Sequence, residues 1–166
     1  MNSVLLIIFP ALMAFAACSD LLTMKISNRL VLATLAFFPV LALVAGMSLP
    51  QFGMHIGAAF LVLAVTFAFF AAGWIGGGDA KFAAGTALWL GFDLLLPYLI
   101  YAGLFGGVLT LAMLGARRIP LPARLGEITW IGRLHNASTG IPYGIALAGA
   151  AMVVYADTFV FARLSS

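Results

Sequence analysis

About six apolar runs divide the sequence, at 3–20, 29–46, 55–74, 77–95, 97–115 and 139–161. Each comes close to the roughly 20 residues that a helix needs to cross a hydrocarbon layer about 30 Å thick. A soluble chain of 166 residues would need far more charge to cover its surface, since 64% of this one is apolar and 8% charged, against about 25% charged in an ordinary soluble domain. Lipid is the solvent that fits, because in a bilayer apolar side chains face outward as well as inward. The sequence therefore reads as an all-α polytopic membrane protein, a single domain over residues 1–166, folded as a bundle of about six transmembrane helices. The run 77–95 is the least regular, interrupted by Lys81, Gly85, Gly91 and Asp93 and limited by Pro97.

The basic residues set the orientation, because loops that stay in the cytoplasm are enriched in Lys and Arg. With the N-terminus outside, Lys25, Arg29, Lys81, Arg117, Arg118, Arg124 and Arg133 all fall at the cytoplasmic side, and only Arg163 falls outside. The same count brings Asp20, at the end of the first helix, and Asp79, at the start of the fourth, to one membrane surface. Asp93 and Asp157 go to the opposite face, and Glu127 lies in the basic segment between the fifth and sixth runs.

The first run, "LLIIFPALMAFAACSD", has the apolar core and small residues of a secretory or lipoprotein signal. No Lys or Arg precedes it, however, Phe15 stands where such a site prefers an aliphatic residue, and further spans follow. It is expected to remain as a permanent helix. The single Cys18 excludes an internal disulfide and a multi-cysteine zinc site, and reads as a small buried thiol.

A charged aspartate at membrane depth costs about 2.5–3.5 kcal/mol on insertion scales, which makes intramembrane acids functional candidates. Taken singly, Asp79 reads equally well as a wet residue at a helix mouth beside Lys81, and Asp20 as an interfacial acid near Lys25. Taken together on one face of a bundle, they make a paired-carboxylate site the better reading. Two such acids close together share a proton, one acting as base toward water and the other as acid toward a carbonyl, the chemistry of an aspartic protease. The helix dipole, worth about 0.3–1 kcal/mol, favours charge on Asp79 at a helix N-terminus over Asp20 at a C-terminus. Asp79 is thus expected to be the more readily ionised partner, although charge coupling across the pair outweighs the dipole.

Gly76, Gly77 and Gly78 directly precede Asp79 in "GWIGGGDAKFAAG". Without a β-carbon they permit close approach of an extended substrate, whose scissile amide would then meet Asp79. The plainer alternative is a tight turn between two helices, and a Gly-x-Gly-Asp string alone does not decide between them. Lys81 is a further candidate at this edge: it would orient Asp79, hold a substrate carboxylate, or simply mark the cytoplasmic boundary.

Three segments together resemble the type IV prepilin peptidases, and among them the small form associated with Flp/Tad pili. "GGGDAKFAAGTALWLG" (76–91) is similar to the family's glycine-aspartate signature, "SDLLTMKISNRL" (19–30) to its first-aspartate region, and "GIPYGIALA" (140–148) to the segment that opens its last helix. The resemblance implies a bacterial inner-membrane aspartic endopeptidase that removes the short basic leader of prepilins or pseudopilins at the cytoplasmic face, with Asp20 and Asp79 as its catalytic pair. Ser27 departs from the family's usual proline, which leaves the turn less rigid, and Phe82 from an aliphatic residue. Larger members carry a methyltransferase domain with paired Cys-x-x-Cys motifs; with none here, cleavage without N-methylation is expected. The implied partners are the prepilin substrate, the lipid bilayer and pilus or secretion assembly components. No metal, cofactor or nucleic acid is called for.

The remaining polar residues have plainer readings. His55 sits toward the outer end of the third run and His135 in the basic segment 116–138, itself a topology signal that can also attract anionic lipid headgroups. Gly53 and Gly57, Gly103 and Gly107, and Gly140 and Gly144 are spaced for close helix packing. Two other classes of function stay open on the residues alone. One is a small transporter or channel subunit with the acids lining a polar path, against which stands the lack of an inverted repeat. The other is a noncatalytic scaffold of a secretion machine. A zinc membrane protease would want His-Glu-x-x-His, which does not occur.

Overall fold

The computed structural model describes residues 2–165, which are helical with no strands. The helices are α1 (Asn2–Thr23), α2 (Asn28–Val44), α3 (Leu49–Ala71), α4 (Gly77–Leu90), α5 (Leu95–Arg117), α6 (Ala123–Gly126), α7 (Thr129–His135), α8 (Tyr143–Tyr155) and α9 (Phe159–Ser165). Each apolar run seen in the sequence holds one of the longer helices. Their start signals are chemical: Ser27 caps α2 by accepting the Leu30 N–H, and Ser48 and Gln51 form a reciprocal capping box that starts α3 at Leu49, six residues ahead of the apolar run itself. Ser27 thus fixes the start of α2 with a hydrogen bond.

Among the described residues three helices are long and apolar enough to cross a membrane: Val4–Thr23, Leu49–Ala71 and Leu95–Arg117. A fourth crossing results if α8 and α9, bent by 49° at their junction, act as one span. The other two differ from the six even spans expected. At 17 and 14 residues, α2 and α4 rise only about 26 and 21 Å at 1.5 Å per residue.

The short α4 is nonetheless the centre of the bundle, packed mainly on α3 and also against α2 and α8. Every residue from Phe82 to Leu90 is buried, so α4 is apolar all round, as a helix enclosed by other helices should be. By contrast α3 and α5 turn most of their apolar side chains outward, which suits a lipid-facing wall. The core pairs rings around α4: Phe9 lies 4.8 Å from Trp89 and from Tyr155, and the Trp89 indole N–H donates to the Thr34 carbonyl at 2.9 Å.

What ends α4 is Gly91 and not Pro97. Gly91 adopts φ +66, and a β-carbon there would stand 2.9 Å from Nε2 of His55. The His55 ring is held in place by its Nδ1, which donates to the Leu88 carbonyl at 2.8 Å, and by stacking on Phe38. His55 is therefore a packed, hydrogen-bonded, half-buried residue. At the other end of the bundle, Met24 closes α1 with φ +55, a left-handed backbone that costs a side-chain-bearing residue about 1–2 kcal/mol. That turn aims residues 25–28 across the mouth of the bundle, where the sequence placed its acids.

Candidate active site

The C-terminus of α1 and the N-termini of α2, α4 and α8 meet at one end of the bundle, and the first three of these frame a cavity of about 440 Å³. Its walls are residues 24–28 and 76–79 together with Asp20. The two aspartates that the sequence placed at one depth therefore line one space, although they are far apart in the chain.

Asp20 lies in the last turn of α1 and is only 4% exposed. Its Oδ2 accepts the backbone N–H of Gly144, in the first turn of α8, at 2.7 Å. A buried carboxylate without such a donor would be costly, and the donor has to come close to serve. A β-carbon on Gly144 would lie 2.8 Å from Oδ2 of Asp20 and 2.8 Å from Cδ1 of Ile26. The glycine is thus required by the bond it donates, a role beyond the helix-packing spacing it shares with Gly140.

Asp79 repeats the arrangement on α4. It is the third residue of a helix whose N-cap is Gly76, the position from which an acidic side chain reaches back to the N-cap N–H. A β-carbon on Gly76 would stand 2.9 Å from Oδ2 of Asp79. Asp79 is outside the three long spans, and burial together with the charge of Asp20 pushes its pKa up to about 6, with the Gly76 N–H pulling the other way. The shift runs against the helix dipole, which favours charge on Asp79. Desolvation and the neighbouring charge outweigh the helix dipole, so Asp79 holds its proton to a higher pH than an ordinary carboxyl.

The three glycines differ in what they do. Gly77 and Gly78 belong to the first turn of α4 and not to an extended loop. A β-carbon on Gly77 would come within 3.2 Å of the Phe70 ring, whereas one on Gly78 would make ordinary contact with Ile26. First-turn N–H groups of a helix have no intrahelical acceptor, so this edge of the cavity presents backbone donors. Lys81, one turn on, lines a neighbouring cleft, and its Nζ donates to Oδ1 of Asn28 at 3.3 Å.

Two arginines of the basic segment brace the site. Nε of Arg117 donates to the Leu134 carbonyl at 2.8 Å, and its guanidinium also reaches the carbonyls of Thr139 at 3.2 Å and Gly140 at 2.8 Å. Arg133 donates to the Leu22 carbonyl at 2.8 Å. The segment is thereby tied to α5 and to the end of α1, on either side of the Asp20–Gly144 contact. Charge counting reads these residues only as a topology signal, since the carbonyls they bind leave no mark in the sequence. Gly144 did leave one, the "PYG" within 140–148. Among the described residues no group of three or more His, Cys, Asp or Glu side chains is placed to hold a metal ion.

A family model described as the type IV leader peptidase family matches residues 7–111, more than half of the chain and including both aspartates. No curated protein and no solved structure matches. The chain belongs to the type IV leader peptidase family, and membership brings with it a peptidase activity.

Proposed function

We propose that this member of the type IV leader peptidase family is an aspartic endopeptidase that removes the short basic leader of Flp-like prepilins or pseudopilins. Its working surface is the cytoplasmic face of the bacterial inner membrane, and Asp20 and Asp79 form its catalytic dyad. One observation carries the reading: two carboxyl groups from different helices line a single cavity, each beside a glycine whose β-carbon would displace it.

In this reading a water in the cavity attacks the scissile carbonyl carbon while Asp20 takes its proton. Asp79, in the protonated form that its raised pKa favours, donates its proton to the carbonyl oxygen. Collapse of the tetrahedral intermediate breaks the C–N bond, and the amine leaves with a proton returned from the dyad. The N–H groups of Gly77 and Gly78, with the space above Gly76, form the edge against which the substrate backbone lies. A peptide in that position has to be extended, because a helix would keep its carbonyl hydrogen-bonded.

The clustering of Lys and Arg at the dyad end of the bundle supports the cytoplasmic placement. A single cysteine in residues 1–166 supports cleavage without N-methylation by this segment. The test is to incubate membranes carrying the folded protein with a panel of Flp-like prepilins and weigh the released peptides. A leader cut at one bond, with the mature chain unmethylated, is the expected result. A folded protein that cuts none of the panel would remove the substrate assignment.

A further inference from the structure

Beside the dyad cavity lies a second space of about 590 Å³, bounded by α2, α3 and α4. α2 and α3 converge at the end away from the acids, where Phe38 stacks on Phe52 at 5.6 Å and on His55 at 5.2 Å. Toward the acidic end they diverge over α4 and leave a cleft. Ala84 and Gly85 of α4 keep its floor low, and Leu35 and Phe60 stand on its two walls, partly exposed.

Polarity is confined to one end. Among the lining residues only Asn28 and Lys81 are polar, and they are bonded to each other at the mouth. An ammonium has three donors, and this bond uses one. The cleft is therefore apolar along its length with a cation at the bilayer surface, a pattern complementary to an amphiphile with a negative head. The apolar lining admits hydrocarbon, and the cation at its mouth favours a negative head over a neutral or positive one.

We propose that this cleft binds an anionic phospholipid, with acyl chain along α4 and phosphate on Lys81. The site lies in the region where the other cations of the acidic end already attract negative headgroups, and Asn28 is a wall of both the cleft and the dyad cavity.

Native mass spectrometry of the full chain in detergent tests this, using dioleoyl phosphatidylglycerol and dioleoyl phosphatidylcholine, which share chains and differ in head charge. The expected result is a single phosphatidylglycerol adduct at least about ten-fold more populated than the phosphatidylcholine one. Lys81→Gln should bring it down to the phosphatidylcholine level, and Leu35→Trp, which narrows the cleft, should reduce both. Lys81→Gln alters an exposed side chain, so it remains informative if the tryptophan variant melts early. Equal retention of the two lipids by the wild type overturns the proposal, as does a phosphatidylglycerol adduct that survives Lys81→Gln. Loss of the adduct in Arg124→Gln instead would put the lipid on the basic segment. A photo-crosslinker at position 35 that captures an added protein segment and no lipid would give the cleft to a different occupant.

Discussion

Asp20 and Asp79 each place a carboxyl oxygen where a β-carbon on a nearby glycine would have to sit, 2.8 Å away at Gly144 and 2.9 Å away at Gly76. Moving either carboxyl by a few tenths of an ångström disturbs a reaction whose geometry is demanding. Gly144→Ala and Gly76→Ala are each expected to slow leader release at least about ten-fold in a membrane assay. Gly103→Ala, where a β-carbon meets nothing within 4 Å, should leave the rate within about two-fold. Asp79 also writes itself into stability. Its folded value of about 6 lies above the ordinary value of 3.8, so between the two the folded state holds more protons and stability falls as pH rises through that window. Thermal melts in detergent should show wild type and Asp79→Asn together near pH 4 and the variant more stable above pH 6; parallel curves would contradict the burial of Asp79. Both acids were legible in the sequence, because charge is rare there and each isolated acid stands out. The upward shift of Asp79 was not, since that depends on burial and on a neighbour from another helix.

Among the elements, α4 shows how far an apolar run can be trusted. The run marked a helix correctly, yet it promised residues to 95 and the helix stops at Leu90. The stop is set by the His55 ring filling the space beside Gly91, a contact between segments that no local pattern carries. The segment after α5 was legible only as charge. In the structure Arg117 binds three carbonyls of residues 134–140 and so holds the approach to α8, whose Gly144 N–H meets Asp20. A lysine cannot reproduce a planar fork with several donors, so Arg117→Lys and Arg117→Ala should behave alike. Both are expected to speed trypsin cleavage within residues 118–142 and to lower leader release several-fold. Unchanged proteolysis in both would show that the brace carries no strain.

For the whole molecule, the ordering of the helices is what turns two remote acids into a pair. Successive helices run in alternate directions, so the end of α1 and the starts of α2, α4 and α8 come to one end of the bundle, and alternation alone made this legible before any contact was known. The uneven reach of the helices was not legible, because hydropathy measures length and composition, not enclosure: α4 is both short and surrounded, and α8 breaks from α9 at residues 156–158 inside a run that looks continuous. A short central helix with its acidic first turn at the end of a bundle suits the proposed hydrolytic site, which has to be within reach of both water and a membrane-bound chain. The most direct measurement of the central claim is the initial rate of prepilin leader release in membranes containing equal amounts of folded wild type, Asp20→Asn or Asp79→Asn. Each asparagine keeps its side chain's shape and removes one titrating carboxyl, so both variants should fall more than about 100-fold below wild type. Cleavage by either single variant at a rate close to wild type would contradict the dyad.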